Sequence, residues 1–367
     1  MNNNASKPLA YGLVGCGMMG REHIRNIQLL DNTTVTAIFE PDTAMREAAK
    51  EYAPNAIYTE SLSELLNIES LDCLVIVSPN YLHTDNLREI MAENPLPLLV
   101  EKPLFTHIDD DAFIQSLIND YPAPVWVAME YRYMPPLAEF IKQSPSVTGG
   151  ISLLTIREHR FPFLEKVGDW NRFNRYSGGT FVEKCCHFFD LMRFILQSEP
   201  VSIMASAGQS HNHLDETYNS EIPDIWDNGF VIVNFKNGTR ALLELCMFAE
   251  GSRYQEEICA VGKDGKIECR IPGPSRFWTG LPEDEPIPNI VTSPRSPKGP
   301  IQYDIPVEKH LLAAGDHHGS TFYQHQHFQQ VVLGNESPQV TLSDGRMAVL
   351  MGMAAQESAR TGQTVTL

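Results

Sequence analysis

The stretch GGTFVEKCCHFFD, Gly178 to Asp190, gathers two cysteines, a histidine, a lysine and acidic groups within a few residues. Such a cluster could bind a metal, run a thiol redox step or move a proton. At helical spacing Glu183, His187 and Asp190 fall at i, i+4 and i+7, on one face. Phe181, Cys185, Phe188, Met192 and Ile195 fall on an apolar face, so Cys185 reads as packing. Cys186 belongs clearly to neither face. A metal would need convergent ligands from elsewhere, and adjacent cysteines chelate poorly. No metal is expected. Proton transfer fits better, because an imidazole titrates near neutral pH. An ordinary amphipathic helix with a satisfied histidine is the plain alternative.

A second chemical signature lies near the start. GCGMMG, Gly15 to Gly20, follows an apolar run and opens a helical pattern. In that context G-x-G-x-x-G is a dinucleotide fingerprint. Gly15 allows the tight turn, Gly17 lets the backbone approach a pyrophosphate, and Gly20 permits close helix–strand packing. The phosphates then meet the N–H groups of a helix N-terminus. Glu40 ends the second strand, placed to accept from ribose hydroxyls and repel a 2′-phosphate. No Arg or Lys immediately follows it, so NAD is expected in preference to NADP.

These groups need elements to hold them. Over the first 130 or so residues, short Val/Leu/Ile-rich runs alternate with helical patterns: AYGLVGCG, TVTAIFE, CLVIVSP, PLLVEKP and VWVAMEYRY are the strands. That rhythm predicts an α/β fold with a Rossmann-type, doubly wound parallel sheet over residues 1–134. Residues 135–367 change character. Longer strands, with hairpin signals at FKNGTR and GKDGKI, predict an α+β domain on a large open, mostly antiparallel meander. Residues 272–300, rich in Pro, Gly and Ser, read as a long surface loop. Two helical patterns close the chain, the second with Ser343 as its N-cap.

Bulk properties limit the function classes. The 367 residues carry a formal net charge of −18 and no basic cluster, which disfavours nucleic acid and anionic membrane as partners. No apolar run approaches the length of a membrane span. The start does not read as a secretory signal. The 7 cysteines show no CxxC spacing and mostly lie in apolar runs, so reduced, buried thiols and a cytoplasmic protein are expected.

With GCGMMG, SPNYLH, EKP at Glu101–Pro103 and the GG…H-x-x-D helix together, the chain resembles the glucose–fructose oxidoreductase, inositol dehydrogenase and rhizopine-catabolism family (Gfo/Idh/MocA). The tail SDGRMAVLMGMAAQESARTGQTVTL resembles the family's closing helix. The resemblance implies that Lys102 is catalytic, holding the substrate oxygen and favouring its deprotonation, with His187 as general acid/base. Glu183 stands where the family has aspartate, and Cys185 where it has glycine; Glu183 is expected to bind substrate or orient Lys102. Also by resemblance, Met18, Met19, Ser78, Asn80, His83, Glu101 and Trp170 join the glycines, Glu40 and Lys102 around the cofactor. Gly178 and Gly179 are expected to let the backbone approach that cofactor. Arg157, His159, Arg172 and His318 are candidates for the substrate wall, with His317 as an alternative to His318. His325 and His327, two apart on a helix, point to different faces.

The expected function is therefore NAD-dependent hydride transfer to or from a secondary alcohol or ketone of a sugar, sugar acid or inositol. Such a polyhydroxylated substrate needs many polar partners on burial. The subunits are expected to form a homodimer or homotetramer through the open sheet. Two other readings stand beside it. One is a glycosidase or lyase that retains NAD and oxidises its substrate only transiently. The other is a non-catalytic regulator that binds NAD and a metabolite.

Overall fold

The computed structural model describes residues 7–274 and 286–367. The chain forms two compact units, residues 1–130 with 309–347, and residues 131–308 with 348–367.

In the first unit the strands are β1 (Leu9–Val14), β2 (Thr33–Phe39), β3 (Ile57–Thr59), β4 (Cys73–Ile76), β5 (Leu98–Val100) and β6 (Val125–Val127). They pair in parallel in the order β3-β2-β1-β4-β5-β6. That is the doubly wound order, whose ligand crevice opens at the carboxyl ends of β1 and β4, where the winding reverses. Strands β1, β4, β5 and β6 are buried throughout, which explains their unbroken apolar runs. The helices between them are α1 (Met18–Gln28), α2 (Thr43–Lys50), α3 (Leu62–Leu66), α4 (His83–Glu93) and α5 (Asp111–Asp120). The short β3 and α3 were not legible in the sequence. The strand expected over VWVAMEYRY ends at Val127, and Glu130–Tyr133 turns into a 3₁₀ segment.

The second unit opens with α6 (Pro135–Thr148), which the sequence reading missed. Pro135 and Pro136 look like breakers, yet they occupy the first positions of the helix, where the missing N–H costs nothing, while Pro145 lies inside it near its end. Gly149, at φ 65°, ends it in the left-handed conformation. The strands are β7 (Ile151–His159), β8 (Pro200–Gly208), β9 (Asn228–Phe235), β10 (Arg240–Cys246), β11 (Glu256–Gly262), β12 (Gly265–Ile271), β13 (Asn289–Pro294), β14 (Ile301–Asp304) and β15 (Val365–Thr366). They build a nine-stranded sheet in the order β14-β13-β12-β11-β7-β10-β9-β8-β15. The two hairpins read from FKNGTR and GKDGKI are present as β9–β10 and β11–β12. The sheet is not a pure meander, because β7 inserts between β11 and β10 and runs parallel to β10. Part of the loop expected at 272–300 is β13; residues 275–285 of it lie outside the described residues.

Between these strands lie α7 (Asn174–Ser177), α8 (Thr180–Glu183) and α9 (Cys186–Leu196). The single helix expected across the cysteine pair is thus interrupted at Lys184–Cys185. Then come α10 (Lys309–Ala314), α11 (Ser320–Val332) and α12 (Leu342–Thr361). The boundary expected at residue 134 falls a few residues late, and the return of 309–347 to the first unit was not foreseen. The cap of α12 is Thr341, not Ser343. The Thr341 hydroxyl accepts from the Asp344 N–H at 3.2 Å, and Asp344 accepts the Thr341 N–H at 2.9 Å.

Candidate active site

The glycine loop connects β1 to α1. Gly15 has φ 99°, and a Cβ there would come within 2.8 Å of the Val77 and Ser78 backbone. A Cβ on Gly20 would come within 2.8 Å of the Gly15 carbonyl oxygen. At Gly17 a Cβ would meet nothing within 4 Å, so this glycine leaves open space outside the loop. Gly17 caps α1 without a side-chain bond, leaving first-turn N–H groups to an outside acceptor. This geometry fits a pyrophosphate. Gly15→Ala should cost more than about 1 kcal/mol from the backbone strain alone, and should abolish the thermal shift that NAD produces. A variant as stable and as NAD-responsive as the parent would rule out this account.

Glu40 is 8% exposed. Its carboxylate accepts the Cys16 N–H at 2.8 Å and the Asp42 N–H at 3.0 Å. It therefore braces the glycine loop, a task the sequence reading did not give it, and each oxygen keeps a second lone pair for a hydroxyl. Burial and the neighbouring Glu40 charge push the Cys16 thiol far up, which makes it an inert packing group.

After β4, the Ser78 hydroxyl donates to Asn86 Oδ1 at 2.6 Å. Asn80 is largely buried, and its Nδ2 has no partner among the described residues. His83 is fully buried, with Nδ1 2.8 Å from the Pro103 oxygen and Nε2 3.0 Å from the Ser78 oxygen. His83 thus pins the loop after β4 to the loop after β5. Both of its nitrogens face protein carbonyls, so the contact with cofactor expected of it is not what this geometry provides. Burial holds its pKa below the ordinary histidine value.

Lys102 follows β5, and its N–H donates to Glu101 Oε2 at 3.2 Å. Glu101 is itself buried and accepts from His23 Nε2 at 3.0 Å. His23 Nδ1 lies 2.7 Å from His325 Nε2. Burial alone would lower the His23 pKa, but the hydrogen bond and charge of Glu101 raise it. His325 is driven well down, by burial and then by the His23 charge. A protonated His23 can donate to both partners, so Glu101, His23 and His325 form a buried chain behind the Lys102 backbone. Beside it, His317 Nδ1 lies 3.3 Å from Glu22 and 3.1 Å from Glu130, and the Thr321 hydroxyl, with one proton to donate, lies within hydrogen-bond distance of both carboxyl groups. The sequence reading missed this network. His317, an expected pocket lining, is a member of it, while His318 adopts φ 53°. His327 stays half-exposed against Glu336, so His325 and His327 do diverge.

In the second unit His187 is 2% exposed and stacks on Tyr131, with centroids 4.1 Å apart and rings 6° from parallel. Asp190, one turn on, forms a two-pronged pair with Arg132 at 2.5 and 2.6 Å. Glu183 is 6% exposed. Cys185 and Cys186 are buried free thiols; burial raises the Cys185 pKa far above its usual value, which removes it from redox chemistry. Gly178 and Gly179 have φ 79° and 88°. A Cβ on Gly179 would collide with the Gln356 side chain, so the close approach it permits is that of α12.

The expected substrate wall is divided. Arg157 and His159 point to the face of the sheet opposite Glu158, by strand alternation. There Arg157 pairs with Glu244 at 3.0 Å and Glu257 at 3.3 Å, and His159 with Glu244 at 3.0 Å. Glu158 lies on the buried face, 2.9 Å from Lys184. Leu154 and Ile156 are buried on the same phase, and that phase was the sequence signal that could have chosen Glu158 over its neighbours. Arg172 is buried and bonded to Glu216 at 3.0 Å and Asn171 at 3.2 Å, which makes it a structural tie. Trp170 is 7% exposed.

Comparison with known proteins places these features. Residues 9–129 match the Oxidoreductase family, NAD-binding Rossmann fold, and residues 147–367 match the Oxidoreductase family, C-terminal alpha/beta domain, of the Gfo/Idh/MocA group. An inositol 2-dehydrogenase of Corynebacterium glutamicum (strain R) is 27% identical over 74% of this chain and 77% of its own length. A myo-inositol 2-dehydrogenase of Thermotoga maritima is 22% identical over 98% of each chain. The crystal structure of GenD2 from gentamicin A biosynthesis, in complex with NAD, superposes with a TM-score of 0.77 at 17% identity, covering 100% of this chain and 98% of that one.

Proposed function

Given that the chain belongs to the Gfo/Idh/MocA family of NAD-dependent oxidoreductases acting on CH–OH groups, we propose that its substrate is a sugar, sugar acid or inositol, with Lys102 and His187 as the proton-handling groups. The bound nicotinamide supplies the hydride acceptor or donor. The glycine loop, the uncapped start of α1 and the spare lone pairs of Glu40 would hold the dinucleotide. His187 takes the hydroxyl proton as the alcohol is oxidised and returns it in reduction. Lys102, as a cation, steadies the substrate oxygen while negative charge develops there. Glu183 binds a substrate hydroxyl. Trp170 and Asn80 remain proposed cofactor neighbours. Arg157, His159 and Arg172 are left out of the substrate wall, because acidic side chains already engage them.

The observation that carries this reading is His187. It is a nearly buried imidazole on a tyrosine platform, in a domain whose relatives include enzymes named for inositol oxidation. We further propose a homodimer or homotetramer through the open face of the nine-stranded sheet. That face presents Leu153, Met204, Phe230 and Ile232 at 40–54% exposure around the Arg157–Glu244 pair. A cytoplasmic setting is proposed from the buried free thiols. Among the described residues no helix is long and apolar enough to cross a membrane.

The test is to mix the purified protein with NAD or NADP and a panel of inositols, aldoses and sugar acids, following the reduced-nicotinamide absorbance. NADH formed from one polyol, with NADP at least about tenfold poorer, is the expected result. Silence across the panel, with NAD already bound to the protein as purified, would instead support a retained-cofactor glycosidase or lyase, or a regulator.

A further inference from the structure

Beneath the His187 platform lies a buried group of charges that the proposed chemistry does not use. Lys184 is 4% exposed, in the break between α8 and α9. Its Nζ donates to the Tyr131 hydroxyl at 2.6 Å and lies 2.9 Å from Glu158 Oε1. Glu158 is fully buried on β7, with Arg160 3.6 Å away. Glu256 of β11 is 3% exposed and accepts from Gln255 at 2.6 Å. An ammonium so deeply buried is costly unless paired, and a methionine would fill much of the same volume without that cost.

The ammonium therefore has a consequence beyond packing. It is bonded to the oxygen of the ring on which His187 lies flat. Drawing electron density toward that oxygen weakens the attraction of the ring face for a cation, and a nearby positive charge itself disfavours a protonated imidazole. The charged and titratable groups at issue are Glu183 on α8, Lys184 in the break before α9, Asp190 on α9, Tyr131 and Arg132 on the preceding 3₁₀ turn, Glu158 on β7, Arg160 just after it, and Glu256 on β11. Asp190 and Arg132 neutralise one another. Glu158 offsets part of the Lys184 charge, and Lys184 is the cation hydrogen-bonded directly to the platform. Burial and then the Arg160 charge lower the Lys184 pKa, while burial and then the Glu158 charge push Glu256 up to about 7.

We propose that Lys184 and Tyr131 are positioning residues for His187, with Lys184, anchored on Glu158, fixing the Tyr131 ring and restraining protonation of the imidazole stacked on it. This rests on His187 as the acid/base group, but the coupling can be read without turnover. The experiment follows the ring signals of His187 by NMR in protein labelled with 13C-histidine, assigned with a His187→Gln variant, across a pH series. In Lys184→Met the His187 midpoint should rise by about half a pH unit or more, while Lys184→Arg should hold it within about 0.2 unit. Tyr131→Phe, which keeps the ring and loses the bond to Lys184, should move it the same way by less, and serves if Lys184→Met does not fold. A folded Lys184→Met or Tyr131→Phe protein with an unmoved midpoint would overturn the proposal. The pH–rate profile separates the two readings. A limb that moves with the NMR midpoint supports both. A midpoint that moves while the limb stays supports the coupling and removes His187 from the reaction.

Discussion

Replacing His187 with alanine is expected to lower turnover at least about a hundredfold, the usual worth of a positioned general base. Lys102→Ala should do the same. The reason lies in the proton inventory of the reaction. Hydride leaves carbon only if the hydroxyl proton leaves oxygen, and bulk water is a poor base at neutral pH. An imidazole has the affinity to take that proton and give it back. Lys102 contributes differently, through charge beside an oxygen whose negative charge grows along the reaction. Neither side chain belongs to the glycine loop or to the Glu40 brace, so both variants should retain the NAD-induced thermal shift of the parent. The measurement is steady-state kcat on the polyol identified by the cofactor screen, alongside that shift. Parental turnover in either variant would remove that residue from the chemistry.

Asp190→Ala should produce the largest loss of stability of any substitution considered. Asp190 has no exposed surface and holds the Arg132 guanidinium by two short bonds. Arg132 also lies 4.2 Å over the ring of Phe194. Removing the carboxylate leaves a cation in an apolar setting with its main counter-charge gone. Breaking a buried pair in this way costs about 3–5 kcal/mol, and for a unit of this size that lowers the melting temperature by roughly 10 °C. Replacing both partners with apolar residues should recover much of the loss, because no orphaned charge then remains. The readout is thermal unfolding of the single and double variants. A single variant within about 1 kcal/mol of the parent would show that Arg132 finds water or another partner at little cost.

These two expectations come from different sources. His187 and Lys102 were legible as chemical groups in the linear chain, since their motifs are short and local. The same holds for Gly15, Gly17, Gly20 and Glu40, where a turn, a close approach and a strand end are each encoded within a few residues. The Arg132–Asp190 pair was not legible, because it joins residues far apart in sequence. Nor was the chain from Glu101 through His23 to His325, which links the end of a strand, the first helix and a segment some three hundred residues later. No periodicity reports such a meeting; it exists only once the sheet and its helices are assembled.

The sequence by itself determined the nucleotide-binding half, the parallel sheet and the presence of a second, largely antiparallel sheet. It did so because apolar period and glycine placement are local consequences of burial and backbone geometry. What only the tertiary structure decided was which polar groups remain open to a ligand. In a strand end such as REHR, Arg157–Arg160, alternation separates two faces but does not say which one the helices cover. Packing against Lys184 buries Glu158 and turns Arg157 and His159 to the other face, toward Glu244. Lys184 itself reads as a surface lysine in the linear chain. It is buried because the break before α9 turns it inward, toward a carboxylate and a tyrosine hydroxyl that together can hold an ammonium away from water.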